Sequence, residues 1–198
     1  MDSRRGEPVC SPLFSLDMRK NIVRDKYQSY WQWLSYFLLI VSIFLSTAAA
    51  TEVFQKPDVI KKAPELSLFD LEEQKQQLSH YTGKVVLLHF WATWCSSCIQ
   101  ELSELQTLWE KLQDKGLVVI AVAEDSKKSV EAFTKKHFMT FPVWIDQYGA
   151  GLRAYHIKGF PSTYLIGRSG YLEGIAFGPR KWINPLVFKE IETLLANP

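Results

Sequence analysis

Two cysteines, Cys95 and Cys98, lie three residues apart where an apolar segment gives way to an amphipathic one. On the first turn of a helix, thiols at this spacing reach each other as a disulfide, and the unpaired backbone N–H groups there favour a thiolate. The same spacing supplies half of a zinc site, but Cys10 lies far upstream and the four histidines show no ligand spacing. The pattern predicts a redox dithiol with no metal and no cofactor besides its own disulfide.

The elements on either side must position this dithiol. Residues 85–91 are continuously apolar apart from His89, which predicts a strand buried on both faces of a sheet. Apolar residues then recur at helical spacing until Lys115-Gly116 supplies a stop. The predicted inward stripe of this helix comprises Cys98, Leu102, Leu105, Trp109 and Leu112.

The rest of the downstream sequence alternates between strand and helix patterns. Strands are predicted over 66–69, 117–122, 142–145, 160–166 and 171–177, and helices over 129–137, 152–155 and 185–195. The polar residues 70–77 are predicted to be a turn region, and Asn184-Pro185 is predicted to cap the last helix. The order strand, helix, strand, then hairpin and helix predicts an α/β fold.

The first fifty residues have a different composition. Residues 1–30 carry six Lys or Arg and four Asp or Glu, whereas residues 33–50 are almost wholly apolar and uncharged. Basic residues before such a segment keep the N-terminus cytoplasmic and send the following chain across the membrane. Residues 33–50 are therefore either a transmembrane anchor or a signal h-region cleaved after Ala50, and a start at Met18 would give an ordinary leader length.

Four regions follow from these patterns. They are a cytoplasmic N-terminal segment (1–32), the anchor or h-region (33–50), a polar linker (51–62) and a globular domain (63–198). Residues 51–198 carry seventeen basic and seventeen acidic side chains, so the domain lacks the positive surface that nucleic-acid binding requires. Membrane contact is predicted for residues 33–50.

Two motifs resemble those of the thioredoxin fold over about residues 63–198: Trp94-Cys95-Ser96-Ser97-Cys98 and, at a later strand entry, Gly159-Phe160-Pro161-Ser162-Thr163. Ala63-Pro64 at the start of the domain and the aromatic residues just before the dithiol make the resemblance more specific. They are similar to those of membrane-associated thiol-disulfide oxidoreductases related to TlpA and ResA. The resemblance implies a central mixed sheet flanked by helices. It also implies that Pro161 is a cis-proline facing the dithiol, after an inserted strand and helix.

The positions of the two cysteines predict their roles in the reaction. Cys95 is predicted to be the attacking thiol, because the helix terminus favours its thiolate and leaves it accessible, and Cys98 is predicted to resolve the mixed disulfide. In thioredoxins a buried acid commonly occupies the position of His89. We hypothesise that neutral His89 moves a proton to or from Cys98; the alternative is a core histidine satisfied by a backbone group.

Other site residues are assigned by the same resemblance. Glu101 matches an acidic position common in the TlpA-like group and is predicted either to tune the inner thiol or to be a solvated helix residue. Relatives often carry a helix-kinking proline at the position of Ser103. Whether this helix bends is therefore left open by the sequence. Trp94 and Phe160 are predicted to form an apolar rim that contacts the partner polypeptide, while Trp91 belongs either to the rim or to the core.

The residues between the cysteines, Ser96 and Ser97, lack the histidine of strongly oxidising relatives, which favours a reductant or isomerase. The resemblance implies that exported thiols are kept reduced, as in cytochrome c maturation, with electrons from a transmembrane donor. It places the domain on the periplasmic side of a bacterial inner membrane, or free in the periplasm after cleavage. Expected partners are thiols or disulfides of proteins there. The alternatives are a thiol peroxidase, a Cu(I) chaperone and a redox-dead binding module.

Overall fold

The computed structural model describes residues 32–40 and 53–197. The chain forms two units, residues 1–51 and residues 52–198. In the first unit, residues 32–40 form helix α1, whose apolar side chains are exposed. Within the described ranges, no helix combines the length and apolarity needed to cross a membrane. Most of the predicted segments 1–32 and 33–50 lies outside the described residues.

Residues 53–197 are built on a seven-stranded mixed sheet in the order β2-β1-β5-β4-β3-β6-β7. Its strands are β1 (Ser67–Asp70), β2 (Lys75–Gln77), β3 (Val85–Trp91), β4 (Leu117–Ala123), β5 (Val143–Ile145), β6 (Ser162–Ile166) and β7 (Leu172–Phe177). The helices are α2 (Ser96–Leu112), α3 (Lys127–His137), α4 (Ala150–Ala154) and α5 (Pro185–Ala196). Strands β3, β4 and β5 are parallel, and the other pairs are antiparallel.

Strand β3 runs through the centre of the sheet and separates two apolar cores. All seven of its residues are buried, as its continuous apolar pattern predicts. Leu87 and Trp91 belong to the core that includes α2 and α5, whereas Leu88 and Phe90 belong to the core on the opposite face. Because side chains alternate along a strand, His89 lies on the face of Leu87, which α2 covers.

Helix α2 has the dithiol at its start and an apolar stripe along its inner face. The buried residues are Cys98, Glu101, Leu102, Leu105, Leu108 and Leu112. The predicted stripe differs at one position, since Leu108 is buried and Trp109 only partly so. After a 3-10 turn over Gln113–Lys115, Gly116 adopts a φ of 104°, a left-handed conformation that suits glycine and ends the helical run.

Residues 53–62, which we call the strap, pack against the domain, and this corrects the prediction of a polar linker over 51–62. Phe54 of the strap is fully buried in the α2 core. Its ring centroid lies 5.9 Å from that of Trp182. A single aromatic residue in a polar segment creates no periodic pattern, so this docking could not be predicted from the sequence.

The strap is held along β7 by backbone hydrogen bonds. Gln55 and Ile175 exchange two of them, at 2.8 and 2.9 Å. Gly174 provides the space for this approach, because a Cβ built there would lie 2.5 Å from the Cβ of Phe54. The globular unit therefore begins before residue 63.

Most other predicted elements are present with shifted bounds. Strand β2 occupies part of the predicted turn region 70–77, because a three-residue polar edge strand has no apolar alternation to reveal it. Strand β6 begins at Ser162 instead of residue 160. The predicted insert is present as β5 and α4, and Asn184 caps α5 as predicted, its side chain accepting a hydrogen bond from Leu186 N–H.

Candidate active site

The two cysteines form a disulfide at the N-terminus of α2. Their sulfur atoms are 2.08 Å apart. Cys95 is the N-cap of the helix, and its Sγ accepts a hydrogen bond from the backbone N–H of Cys98 at 3.3 Å. The hydroxyl of Ser97 lies 3.4 Å from the same sulfur. Once the disulfide is reduced, these donors and the helix terminus favour negative charge on Cys95.

The two sulfur atoms differ in accessibility. Cys95 keeps 7% of its surface exposed, whereas Cys98 is completely buried. An incoming sulfur atom therefore reaches Cys95 first, and Cys98 is positioned to react with Cys95.

Hydrogen bonds to the loop after β4 hold in place the residues that lead from the end of β3 to the disulfide. The carbonyl of Trp91 accepts from the backbone N–H of Glu124 at 2.9 Å, and the Thr93 hydroxyl donates to the Asp125 carboxylate. Trp91 itself is completely buried. Of the two roles that the sequence left open for Trp91, the structure shows the core one.

The Phe160–Pro161 peptide bond is cis, the isomer that the resemblance implies. Strand β6 runs antiparallel to β3, and Ser162 at its start pairs with Phe90 near the end of β3. Pro161 therefore lies at the same edge of the sheet as the disulfide, which follows β3. The backbone N–H of Gly178 donates to the Pro161 carbonyl at 2.9 Å and ties β7 to this turn.

Trp94 and Phe160 lie together at this edge. Their ring centroids are 5.7 Å apart in an edge-to-face arrangement. Trp94 is 67% exposed, while Phe160 is partly buried. Aromatic side chains exposed in this way supply large contact area to a protein partner, so the pair forms an apolar surface beside Cys95.

Glu101, one helical turn after Cys98 on α2, forms a buried pair with His89 of β3. His89 Nε2 lies 3.5 Å from Glu101 Oε1, and His89 Nδ1 lies 2.9 Å from Thr163 Oγ1. His89 is completely buried and Glu101 is only 3% exposed. The alternative of a solvated Glu101 is therefore wrong. Glu101 follows Cys98 by three residues, so the two side chains share one face of α2.

Burial shifts the two titratable groups in opposite directions. Loss of water around the carboxylate raises the pKa of Glu101 from 4.5 to about 7, against the lowering effect of hydrogen bonds from the β7–α5 loop. The same loss of water lowers the pKa of His89 from 6.5 to about 3. Near neutral pH, Glu101 is poised between its two protonation states and the His89 imidazole is neutral.

The loop between β7 and α5 holds the carboxylates of α2. The backbone N–H of Arg180 donates to Glu101 Oε2 at 2.7 Å, and that of Trp182 donates to Glu104 Oε2 at 2.7 Å. The Trp182 ring is completely buried and lies edge-on to the His89 ring, with centroids 6.3 Å apart. This loop therefore sets the position of Glu101 and closes the pocket around His89.

Sequence reasoning missed Thr163 and the 180–182 loop as parts of this site. Thr163 lies directly opposite His89 in the β3–β6 pairing, so an exact strand register would have identified it. The loop acts through backbone N–H groups that are 78 and 79 residues distant from the carboxylates they contact. Backbone donors of this kind leave no residue-type signal in a sequence.

A metal centre has no ligand set in the described part of the chain. Over residues 32–40 and 53–197, no group of three or more His, Cys, Asp or Glu side chains is placed to hold a metal ion. The reduced dithiol would offer two soft sulfur ligands, a type of donor that Cu(I) prefers.

Comparisons with known proteins agree with this geometry. The AhpC/TSA family matches residues 59–175. The chain is 36% identical over 155 residues to the thioredoxin-like protein YneN of Bacillus subtilis, an alignment covering 74% of this chain and 90% of YneN. It is 33% identical over 142 residues to the thiol-disulfide oxidoreductase ResA of Bacillus cereus, covering 68% of this chain and 82% of ResA.

Solved structures share the fold. A Chlorobium tepidum structure assigned as the thiol:disulfide interchange protein DsbE superposes with a TM-score of 0.65 and 31% identity, over 72% of this chain and 99% of that one. The fold is thus the thioredoxin-like α/β fold that the resemblance implied. The chain belongs to the AhpC/TSA family and, like its ResA relatives, is a thiol-disulfide oxidoreductase with a thioredoxin-like fold.

Proposed function

We propose that this protein is an exported, membrane-attached reductant of protein disulfides, of the type that serves cytochrome c maturation. The observation that carries the proposal is the arrangement of the dithiol. Cys95 is the more accessible thiol, at a helix N-terminus, while Cys98 is completely buried one helical turn before the buried Glu101. The relatives named ResA and the DsbE structure support thiol-disulfide exchange as the chemistry.

The exchange begins from the reduced protein. The Cys95 thiolate attacks one sulfur of a partner disulfide, the partner S–S bond breaks, and a mixed disulfide with Cys95 forms. The partner's other sulfur leaves as a thiolate. Cys98 then loses its proton to Glu101 and attacks Cys95 Sγ, which releases the second partner thiolate. The partner gains two electrons, and this chain retains the Cys95–Cys98 disulfide.

Glu101 suits the role of proton acceptor for Cys98. A general base works best when its pKa lies near the working pH, and the pKa of Glu101 is raised by burial to about 7. His89 is the less suitable base, because burial lowers the pKa of its imidazole to about 3. The lowered pKa argues against proton transfer by His89 itself, and His89 is instead proposed to be the neutral partner of Glu101.

The direction of electron flow is proposed from the absence of an oxidising feature. Ser96 and Ser97 place no cationic side chain between the cysteines, so the reduced form gains no electrostatic stabilisation from an imidazolium. A less stabilised thiolate favours donation of electrons. A transmembrane dithiol protein is proposed to return the two electrons.

Membrane attachment is proposed from the basic residues that precede the uncharged segment 33–50. Expression of the full chain, followed by membrane fractionation and N-terminal sequencing, distinguishes the two fates of that segment. An intact N-terminus that stays in carbonate-washed membranes supports an anchor. A soluble periplasmic product beginning at Thr51 supports a cleaved signal and would contradict attachment.

The partners are best identified by trapping. In cells producing the full chain with Cys98→Ala, the mixed disulfide on Cys95 has no internal thiol to resolve it and should accumulate. A Cys95→Ser, Cys98→Ala double variant is the matched control. Trapped proteins with a haem-attachment Cys-x-x-Cys-His motif support the proposed role, whereas a broad set of secreted proteins indicates general oxidation or isomerisation.

The alternative functions predict different biochemistry. Reduction of insulin disulfides that is lost in Cys95→Ser supports the oxidoreductase and excludes a redox-dead module. Rapid peroxide consumption would instead indicate a thiol peroxidase. Tight Cu(I) binding without turnover would indicate a copper chaperone.

A further inference from the structure

The ring of His89 has two polar neighbours within hydrogen-bonding reach in the described part of the chain. Nδ1 lies 2.9 Å from Thr163 Oγ1, and Nε2 lies 3.5 Å from Glu101 Oε1. Neither Nε2 nor Oε1 makes another hydrogen bond of standard geometry with a described residue, although the Trp182 side chain also interacts with the Glu101 carboxyl group and lowers its pKa. Buried polar atoms without partners are costly, so these two atoms should satisfy each other.

A neutral imidazole has one donor nitrogen and one acceptor nitrogen, and this constrains the pair. When Glu101 is protonated, its O–H donates to Nε2, so the ring proton must be on Nδ1. When Glu101 is ionised, its Oε1 accepts a hydrogen bond from the ring only if the ring proton is on Nε2, so this tautomer is favoured even though the Trp182 side chain also interacts with the carboxylate. The two states differ by one proton in total, and the imidazole is neutral in both.

Thr163 is suited to both states. Its hydroxyl accepts a hydrogen bond from Nδ1–H in the first state and donates to the bare Nδ1 in the second. A side chain that only donated or only accepted would favour one tautomer. The cross-strand pairing of His89 with Thr163 fixes this contact in the centre of the sheet.

We propose that His89 and Thr163 form a tautomer switch that follows the protonation of Glu101, with Thr163 as a positioning residue. The inference rests on the proposed function, in which Glu101 exchanges a proton with Cys98. In the forward reaction, Glu101 gains the proton of Cys98, and the tautomer of His89 that is favoured at equilibrium changes from Nε2–H to Nδ1–H. The switch keeps the buried carboxyl group hydrogen-bonded in both of its states.

Few other charges face this pair. Arg180 lowers and Glu104 raises the pKa of Glu101, and both act on the carboxyl end from the β7–α5 loop and from α2. Around the His89 ring, Thr163 contacts the Nδ1 side, and the Trp182 ring lies edge-on. The Trp182 side chain also donates toward Glu101 and lowers the pKa of its carboxyl group. Use of the oxidised protein removes the two cysteines from the titration.

The test is an NMR titration of the oxidised protein with ¹⁵N-labelled histidine, from about pH 5 to about pH 9. Long-range ¹H–¹⁵N correlations report which ring nitrogen carries the proton. The major tautomer is expected to change from Nδ1–H to Nε2–H, in step with the carboxyl ¹³C shift of Glu101. A single tautomer throughout the range would overturn the proposal.

Two variants test Thr163. Valine has nearly the same shape but cannot accept the Nδ1 proton, and a buried N–H without an acceptor is poorly tolerated. Thr163→Val is therefore expected to hold His89 as Nε2–H at all pH values and to lower the titration midpoint of Glu101. Thr163→Ser is expected to restore both properties. A Val variant that switches like the wild type, or a Ser variant that behaves like Val, contradicts the role of Thr163.

This titration is independent of partners and of electron direction. If Thr163→Val fails to fold, the wild-type and Thr163→Ser spectra still decide whether the switch exists. If partners are trapped but the tautomer of His89 does not change with pH, this inference is wrong and the proposed function stands. If the tautomer changes but no partner is trapped, this inference stands and the proposed function is wrong.

Discussion

Glu101 Oε1 lies 3.5 Å from His89 Nε2, and both side chains are withdrawn from solvent. Because burial penalises charge, the pKa of the carboxyl group rises and that of the imidazole falls. The relationship places a group that titrates near neutral pH one helical turn from Cys98. It also makes the protonation of the pair measurable through protein stability.

Replacement of Glu101 by Gln should stabilise the oxidised protein above neutral pH. The pKa of Glu101 is raised from 4.5 to about 7, so the stability linked to this group is fully present below pH 4.5 and is lost as pH rises through about 7. Glutamine does not ionise, so the side chain at this position stays neutral at every pH. Urea unfolding should show the variant gaining about 2–3 kcal/mol over the wild type between about pH 5 and about pH 8. A pH-independent difference contradicts the raised pKa.

His89 should make the free energy of unfolding change with pH in the opposite direction. Its pKa is lowered from 6.5 to about 3, so its linked stability is present above pH 6.5 and is lost as pH falls through about 3. Between pH 4.5 and 6.5 the slopes of His89 and Glu101 oppose each other. The wild type should therefore show a stability plateau there, and Glu101→Gln should show stability rising with pH. A wild-type curve with a steep slope in this window would be evidence against a buried pair.

Glu101→Gln should also slow the resolution of mixed disulfides. Without a carboxylate near Cys98, the inner thiol loses its proton acceptor, and general-base contributions are typically about 10²-fold or more. Rapid-quench mass spectrometry of the reaction with a model disulfide should show accumulation of the Cys95 adduct. Glu110→Gln, at an exposed position on the same helix, is the control and should resolve at the wild-type rate. Equal rates in the two variants would remove Glu101 from the step.

The strap should contribute substantially to stability. Phe54 is fully buried against Trp182, and removal of a buried phenylalanine side chain typically costs about 3–5 kcal/mol. Phe54→Ala should lower the free energy of unfolding by that order. Val59→Ala, in the same strap but 71% exposed, should change it by less than about 0.5 kcal/mol. Similar small losses in both variants would mean that the strap is not docked in solution.

The aromatic rim should affect partner recognition more than chemistry. Trp94 is 67% exposed, so Trp94→Ala should leave stability nearly unchanged. It should raise KM for a protein disulfide several-fold while leaving the rate of reduction by dithiothreitol unchanged. Tyr148→Ala, 82% exposed, serves as control for loss of a surface aromatic residue. An unchanged KM in Trp94→Ala would exclude the rim from recognition.

The reactive segment was predictable because its signals are local. The strand pattern of residues 85–91, the Cys-x-x-Cys spacing and the helical stripe after Cys98 lie within about thirty residues of one another. The hairpin of β6 and β7 and the cap at Asn184 were also found, since glycine turns and an Asn-Pro pair are strong signals.

The contacts that complete the site were not predictable in this way. Glu101 has the sequence neighbourhood of an exposed helix residue, and it is buried because the β7–α5 loop supplies the Arg180 N–H from a distance of 79 residues. Phe54 is buried only because Gly174 leaves space for it. Both depend on long-range packing, for which a single sequence carries no periodic pattern.

The reduction potential of the Cys95–Cys98 couple tests the central claim most directly. Equilibration of the purified domain with glutathione or dithiothreitol redox buffers, read by alkylation of free thiols, gives this value. A protein that donates electrons to partner disulfides should lie near the thioredoxin value of about −270 mV. A potential near about −120 mV, as for a strong oxidant, would contradict the proposed reductant role.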